Sequence, residues 1–373
     1  MSSRLVVPNI GMAAVKAATE KIEKWDREDT AAIASARKAR MQRRAQLDEQ
    51  ATAIKRATDR YEILDRGEQP EIRIRRRFIR LPDPGRPPEE DESWPETVRE
   101  KLKADVDSRP PLTKLIHRPS NALKMYLSLL YIAQLEFEPG TRWNNERQNT
   151  GKGGWGELCG LRAPGTSTRE LNLRVTRALG KLADHDLVGV GEWRSRNRFD
   201  GFTLHREDKQ QTYLAPSAHA SRSLPVAFFT AGWHLVLTNN EMVTLLAVLE
   251  QTGQPRARKD AELVGVALPL SMRWRFYGLA PETFASRHEL EEFGLIEQFD
   301  PMDRTGGKLS PRQRQEEELR APRITLKLTD FDRPAIEVVK ARLAHPISPR
   351  RVERAISLQL LDNDGRWREP RTQ

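Results

Sequence analysis

Apolar residues recur at spacings of three and four along several stretches of the chain, and this period predicts amphipathic helices. One stretch carries the set Leu123, Tyr126, Leu127, Leu130 and Tyr131. A later stretch carries Met242, Val243, Leu246 and Leu249. Thr238 and Glu241 precede the later set with the spacing of a capping box, and Gly253 follows it as a stop. Each stretch therefore predicts the first helix of a folded unit.

A further helix is predicted from Ser167 or Thr168, either of which can cap it, to about His185. Its apolar face consists of Val175, Leu179 and Leu182. The rest of its surface carries side chains of the types that bond base edges and phosphates, namely Thr168, Arg169, Asn172, Arg174, Thr176 and Arg177. The apolar stretches LVGVGEW and FTLHR then flank a turn that bears Arg194, Arg196 and Arg198. This order predicts a recognition helix followed by a hairpin with a basic tip.

The same order of elements occurs again later in the chain. The segment PLSMRWRFYGLAPETFASRHELEEFGLI predicts a helix, a turn at Gly278 and a helix from about Pro281, because proline suits a first helical turn. That helix ends in LEEFGLI, where LADHDLV stands in the first copy. Basic residues of this second helix and of the long loop that follows are Arg287, Arg304 and Lys308.

The two copies resemble tandem winged helix-turn-helix domains, such as those of plasmid replication initiators and transcription regulators. The resemblance implies a mainly α fold with small β-hairpins, of the α+β class, in which two winged helix domains follow a long charged helix. It also implies sequence-specific binding of double-stranded DNA through the polar residues of both helices and both loops given above. The second recognition helix carries His288, Glu289, Glu291 and Glu292, so its role as a holder of a protein partner or a second protomer stays open.

Charge and cysteine content narrow the class of protein. Lys and Arg number 63 against 53 Asp and Glu, a net charge of +10, which suits a polyanionic partner. Cys159 is the one cysteine, which excludes an intramolecular disulfide and a cysteine-based zinc site. The sequence shows neither a signal peptide nor an apolar run of membrane-spanning length. We expect a cytoplasmic protein, associated with the nucleoid when bound to DNA, with no metal, no cofactor and no membrane partner.

The segments that surround the two copies complete the predicted organisation. Met12 to Glu68 is rich in Ala, Lys, Arg and Glu and predicts one or two long helices, either solvated or used for self-association or a protein partner. Five arginines between Arg73 and Arg80 favour an exposed edge strand over a phosphate contact, because the acidic run that follows would repel DNA. The predicted boundaries are an arm 1–70, an Arg-rich and Pro/acidic linker 71–111, winged helix domains 112–215 and 216–345, and a basic tail 346–373.

The sequence does not predict an enzyme. The seven histidines are scattered and form neither an HExxH motif nor a Cys/His pair at metal spacing. The tryptophans Trp143, Trp155, Trp193, Trp233 and Trp274 are interpreted as core anchors. A non-enzymatic scaffold subunit, which uses the winged helix domains for protein contacts, is the alternative to a DNA-binding protein.

Overall fold

A computed structural model describes residues 12–82, 109–116, 121–135, 143, 145–207, 209–254, 263–301 and 321–345 of the chain. The chain divides into two compact units. The first comprises Met1–Ala45, Asp300–Arg320 and Leu343–Gln373, and the second comprises Gln46–Phe299 and Ala321–Arg342. Residues 168–206 and 281–299, which include the predicted third helix and hairpin of the first copy and their counterparts in the second, belong to the second unit.

Helices and small antiparallel sheets make up the described ranges. The α-helices are α1 (Met12–Leu64), α2 (Arg76–Ile79), α3 (Pro111–Lys114), α4 (Ala122–Leu135), α5 (Trp155–Leu158), α6 (Thr168–Ala183), α7 (Ala227–Thr230), α8 (Trp233–Val236), α9 (Asn239–Thr252), α10 (Leu270–Met272), α11 (Pro281–Phe284), α12 (Arg287–Glu292) and α13 (Ala335–Leu343). Two 3-10 turns and one π-helical turn occupy Ala218–Ala220, Leu328–Asp332 and Arg273–Tyr277.

The strands are β1 (Glu71–Arg75), β2 (Val188–Gly189), β3 (Thr203–Arg206), β4 (Lys209–Thr212), β5 (Ser221–Pro225), β6 (Val266–Ala267), β7 (Ile296–Phe299) and β8 (Arg323–Leu326). They form three sheets with the orders β1-β5, β2-β3-β4 and β6-β8-β7. All of the strand pairs are antiparallel. The chain is therefore α+β with small antiparallel sheets, which is the class that the sequence predicts.

Helix α1 changes character along its length. Its described side chains between Ala31 and Ala45 are exposed or half-exposed. From Leu47 onward one face is buried, and Ile54 and Tyr61 on that face are at most 2% exposed. The Tyr61 hydroxyl donates a hydrogen bond of 2.7 Å to Oγ of Ser128 in α4. The last turns of the segment predicted as an arm therefore belong to the core.

The interval 71–111, predicted as a linker, also begins with folded structure. Strand β1 pairs with β5 over its whole length. Ile72, Ile74 and Phe78 are completely buried, and Ile79 is 1% exposed. The interval thus begins with a strand and a short helix, since the strand that pairs with β1 and the helix α4 that packs against it both come later in the sequence.

The first copy has a compact helical core. The apolar face predicted for α4, from Leu123 to Tyr131, is fully buried. Helix α6 packs against α4 and α5. In the adjoining sheet, Val188 of β2 lies opposite Leu204 of β3, and the register of β3 against β4 shifts at His205.

In the second copy the predicted helix caps are present, but the predicted second helix is divided into two short helices. Thr238 and Glu241 form the capping box at the start of α9, and Gly278 takes a left-handed φ of 60° after the π-helical turn. Pro281 begins α11 as predicted, but this helix ends at Phe284 and α12 begins separately at Arg287. Strand β8 lies between β6 and β7, so β6, the first strand after α9, forms one edge of the sheet.

The contact between α5 and α6 depends on Gly156. A Cβ atom at this position would lie 2.7 Å from Cδ1 of Leu171, a buried residue of α6. The absence of a side chain on Gly156 thus allows α5 to approach α6 closely.

Replacement of Gly156 by alanine is expected to lower the free energy of unfolding by about 1–3 kcal/mol, because the added methyl group overpacks the contact. Gly180→Ala is the matched control in α6, where the nearest atom to the new Cβ would be 3.8 Å away. That substitution should raise stability by about 0.5–1 kcal/mol through helix propensity. Urea unfolding of both variants measures the difference. A Gly156→Ala variant as stable as the wild type would contradict the close packing.

Candidate nucleic-acid interface

Helix α6 has one face in the core and one in solvent. The N-cap is Ser167, whose Oγ accepts a hydrogen bond of 3.2 Å from the backbone N–H of Glu170. Leu171, Val175 and Leu179 are at most 2% exposed and hold the helix against α4 and α5. Because apolar positions recur at three and four residues, the polar positions between them are directed outward.

The outward face carries five of the side chains singled out from the sequence. Thr168, Arg169, Asn172 and Arg177 are exposed, and Thr176 is half-exposed. Positions three and four apart lie on one side of a helix, so Arg169, Asn172 and Thr176 form a row that Arg177 borders. Leu173 lies beside this row and is 45% exposed. This surface combines guanidinium and amide donors with an apolar group of the kind that contacts a thymine methyl.

Arg174 occupies a different position from the other polar residues of α6. Its Nη1 donates a hydrogen bond of 3.3 Å to the carbonyl oxygen of Leu161. Its Nη2 lies 2.5 Å from Oε1 of Glu170, one helical turn earlier. Arg174 therefore links α6 to the segment that precedes it. Because its guanidinium is already bonded, Arg174 is less available to a ligand than Arg177.

The loop of residues 190–202 between β2 and β3, the wing loop, projects from the same unit. Its neck is closed by a hydrogen bond of 2.7 Å from Gly191 N to Arg198 O. Arg194, with a left-handed φ of 78°, and Arg196 are exposed near its tip. A Cβ at Gly180 would contact the Phe199 ring at 3.8 Å, so the wing loop lies beside α6. The structure thus brings helix and loop residues into one region.

Trp193 is the functional candidate that sequence reasoning missed. Its side chain is 75% exposed in the wing loop, whereas Trp143, Trp155, Trp233 and Trp274 are buried. The interpretation as a core anchor is therefore wrong for Trp193. The guanidinium carbon of Arg198 lies 4.5 Å from the centroid of its ring, a cation–π distance. The signal in the sequence was its position inside a turn of charged residues, with no apolar neighbours to bury it.

The corresponding elements of the second copy are arranged differently. Nε of Arg287 donates a hydrogen bond of 2.8 Å to Oε1 of Gln298, and its guanidinium lies over the Phe284 ring at 4.8 Å. Burial lowers the pKa of Arg287, whereas the nearby Glu291 raises it. The exposed side of α12 carries His288, Glu291 and Glu292. Arg287 is thus a structural contact, and Glu291 and Glu292 give this helix an acidic surface.

Two further predicted contact residues, Arg304 and Lys308, lie outside the described residues. The structural environment of the remaining candidates is therefore known for α6, the wing loop and α12 alone. Of these three elements, α6 and the wing loop carry the exposed arginines.

The described ranges contain neither a cluster of metal ligands nor a reactive thiol. They contain no group of three or more His, Cys, Asp or Glu side chains placed to hold a metal ion. Burial raises the pKa of Cys159 to about 12, which keeps this thiol protonated and unreactive. None of the described helices combines the length and apolar character that a bilayer-spanning segment needs.

Comparison with known proteins adds no family assignment. No known protein family matches the sequence, and no curated protein or solved structure is significantly similar to the chain. The function must therefore be argued from the exposed side chains of α6 and the wing loop.

Proposed function

We propose that the chain is a sequence-specific double-stranded DNA-binding protein with tandem winged helix domains, acting as a plasmid-type replication initiator or a transcription regulator. The observation that carries the proposal is the outward face of α6 beside the basic wing loop. Arg169, Asn172 and Arg177 supply donors of the types that bond guanine and adenine in the major groove. Arg194 and Arg196 supply charges for the adjacent backbone.

The order of elements in the second copy supports the same class of domain. Helix α9 is followed by β6, the helical turns from Leu270 to Glu292, β7 and β8. Strand β8 pairs with both β6 and β7. A three-helix unit closed by such a sheet, with a long loop between its last two strands, is the arrangement expected of a winged helix.

The two copies are assigned different roles in this proposal. The first reads DNA, because its recognition helix and wing loop present exposed arginines. Glu291 and Glu292 on the surface of α12 would repel a phosphate backbone, which favours a protein contact for the second copy. A scaffold that uses both copies for protein contacts is the second candidate function, and this acidic surface is the observation in its favour.

Binding of duplex DNA is expected to weaken as the salt concentration rises. If Arg194 and Arg196 each neutralise one phosphate, the logarithmic salt slope is about −1.8 and affinity falls roughly tenfold between 50 and 200 mM salt. Fluorescence titrations of a selected duplex at several salt concentrations measure this slope. Absence of binding across a random duplex library would overturn the proposal and favour the scaffold.

Mapping of the selected site onto the source genome separates the two DNA-binding functions. An initiator should select repeated sequences at an origin, whereas a regulator should select its own or another promoter. The sequence of the recovered site thus decides between replication and transcription.

A further inference from the structure

A pocket lined by arginines lies on the second compact unit. It has a volume of about 270 Å³ and is formed around α2, the end of β3 and the end of α9. Its charged lining is Arg75, Arg76, Arg77, Arg80, Arg206 and Glu250. Among the described residues, Glu250 is the single acidic side chain that lines it. Five guanidinium groups thus surround a space with one carboxylate.

The two carboxylates buried near this pocket already have partners. Oε2 of Glu207 lies 2.7 Å from Nε of Arg75. Glu250 receives both Nε of Arg76 at 3.1 Å and Nε of Arg222 at 2.9 Å. Glu250 therefore shares one negative charge between two guanidinium groups, and among the described residues the arginines that line the pocket outnumber its carboxylates.

Two arginines of the pocket, Arg77 and Arg80, form no ion pair within the described residues. Arg77 is exposed and forms no ion pair with any described residue. The guanidinium of Arg80 lies 4.2 Å from the centroid of the Phe276 ring, a cation–π distance. Nε of Arg80 is buried and has no hydrogen-bond partner in the described part of the chain. A buried donor without an acceptor destabilises the fold unless a ligand supplies the acceptor.

The positive groups also repel one another. Burial lowers the pKa of Arg222, Glu250 raises it, and the charges of Arg76 and Arg80 lower it. The backbone around Arg80 is held in place, because Leu81 N donates a hydrogen bond of 2.8 Å to Phe276 O. An anion in the pocket would relieve this repulsion without a large rearrangement of the chain.

We infer that the arginine pocket binds the terminal phosphate of a small phosphorylated molecule, with Arg77 and Arg80 as its main ligands and Arg76 beside them. Guanidinium groups present several N–H donors in a plane, which matches phosphate oxygens, and phosphate offers acceptors alone. A concave site in which several arginines converge suits a doubly charged terminal phosphate. The backbone of a duplex instead offers singly charged groups on a convex surface. This inference is independent of the DNA-binding proposal.

Calorimetric titration of the full chain with pyrophosphate tests the inference. The double variant Arg77→Gln/Arg80→Gln should bind pyrophosphate at least about tenfold more weakly, because two charge-assisted contacts are lost. The matched control is Arg56→Gln/Arg342→Gln, which removes the same charge from exposed positions of α1 and α13. This control should stay within about twofold of the wild type. Pyrophosphate should also raise the melting temperature of the wild type and of the control.

Three results would overturn the inference: no binding by the wild type, equal weakening in both double variants, or displacement of pyrophosphate by random duplex DNA. The last result, with a smaller DNA salt slope in Arg77→Gln/Arg80→Gln, would assign the pocket to the DNA backbone. Circular dichroism establishes that the double variant is folded. If it is not, the single Arg77→Gln variant gives the same comparison, since Arg77 is exposed.

Discussion

Replacement of Arg177 by alanine is expected to remove much of the preference for the selected site over random DNA. Arg177 is exposed beside the outward row of α6, where it can form two hydrogen bonds with a guanine. Such a contact contributes about 1–3 kcal/mol of discrimination, so the ratio of specific to random affinity should fall roughly 5- to 150-fold. Asn172→Ala should act in the same way at an adenine. Paired titrations of each variant on the selected and random duplexes measure the ratio.

Arg174→Ala is the internal control for this experiment. Its guanidinium is held by Leu161 O and Glu170, so its loss should lower stability and leave the ratio close to that of the wild type. Thermal unfolding records the change in stability separately. Loss of specificity in Arg174→Ala, together with wild-type behaviour of Arg177→Ala, would assign base reading to the flank of α6 instead of its outward face.

Substitution of the wing arginines should lower the affinity for DNA and leave the sequence specificity unchanged. Arg194→Ala and Arg196→Ala are expected to weaken binding to both duplexes alike and to reduce the salt slope by about one for each lost contact. If these variants bind normally while Arg287→Ala abolishes binding, the second copy is the reader and the assignment of roles is reversed.

His234 is expected to destabilise the fold by about 2 kcal/mol when the pH falls from 7 to 5. Burial, with a smaller effect of the positive charge of Lys124, lowers the pKa of His234 from 6.5 to about 3. Its ring centroid lies 4.8 Å from that of Tyr61 and 5.0 Å from that of Phe229. The His234 ring therefore binds a proton near pH 6.5 in the unfolded chain but stays neutral at that pH in the folded chain. The stability that neutral His234 provides is complete above pH 6.5 and declines as the pH falls towards 3.

The measurement is the free energy of unfolding of the wild type and of His234→Phe across this pH range. Glu207 acts in the opposite direction to His234. Burial raises the pKa of Glu207 to about 7, although Arg75 lowers it. The folded chain therefore binds a proton at Glu207 before the unfolded chain does, and this adds to the free energy of unfolding as the pH falls from 7 towards 4.5. The difference between the two proteins removes this opposing contribution. The exposed His219→Gln serves as control and should keep the wild-type pH dependence. Identical pH profiles of wild type and His234→Phe would refute the assignment.

The periodic pattern of the sequence was sufficient for the local elements. The buried face of α6 at Val175, Leu179 and Leu182, the cap at Ser167 and the capping box at Thr238 are all present as predicted. These features depend on residues within a few positions of each other, so the hydrogen bond or the apolar face is encoded by neighbouring side chains. The outward polar face of α6 is local in the same sense, because the residues of the helix alone determine which of its positions point away from the apolar stripe.

The roles of the arginines required the tertiary structure. Arg75 is paired with Glu207 and Arg76 with Glu250, although nothing in their own segment distinguishes them from Arg77. Trp193 is likewise exposed because no described element packs over it, and the spacing of apolar residues in the sequence does not predict this.

The sequence by itself determined the longer helices, their caps and the basic balance. The tertiary structure decided that the end of α1 and strand β1 belong to the core, because Tyr61 bonds to Ser128 of α4 and β1 pairs with β5. It also decided which charged side chains form ion pairs within the fold and which are exposed to solvent. Ion pairs and burial join residues far apart in the chain, so their partners follow from the packing of elements and not from the order of residues.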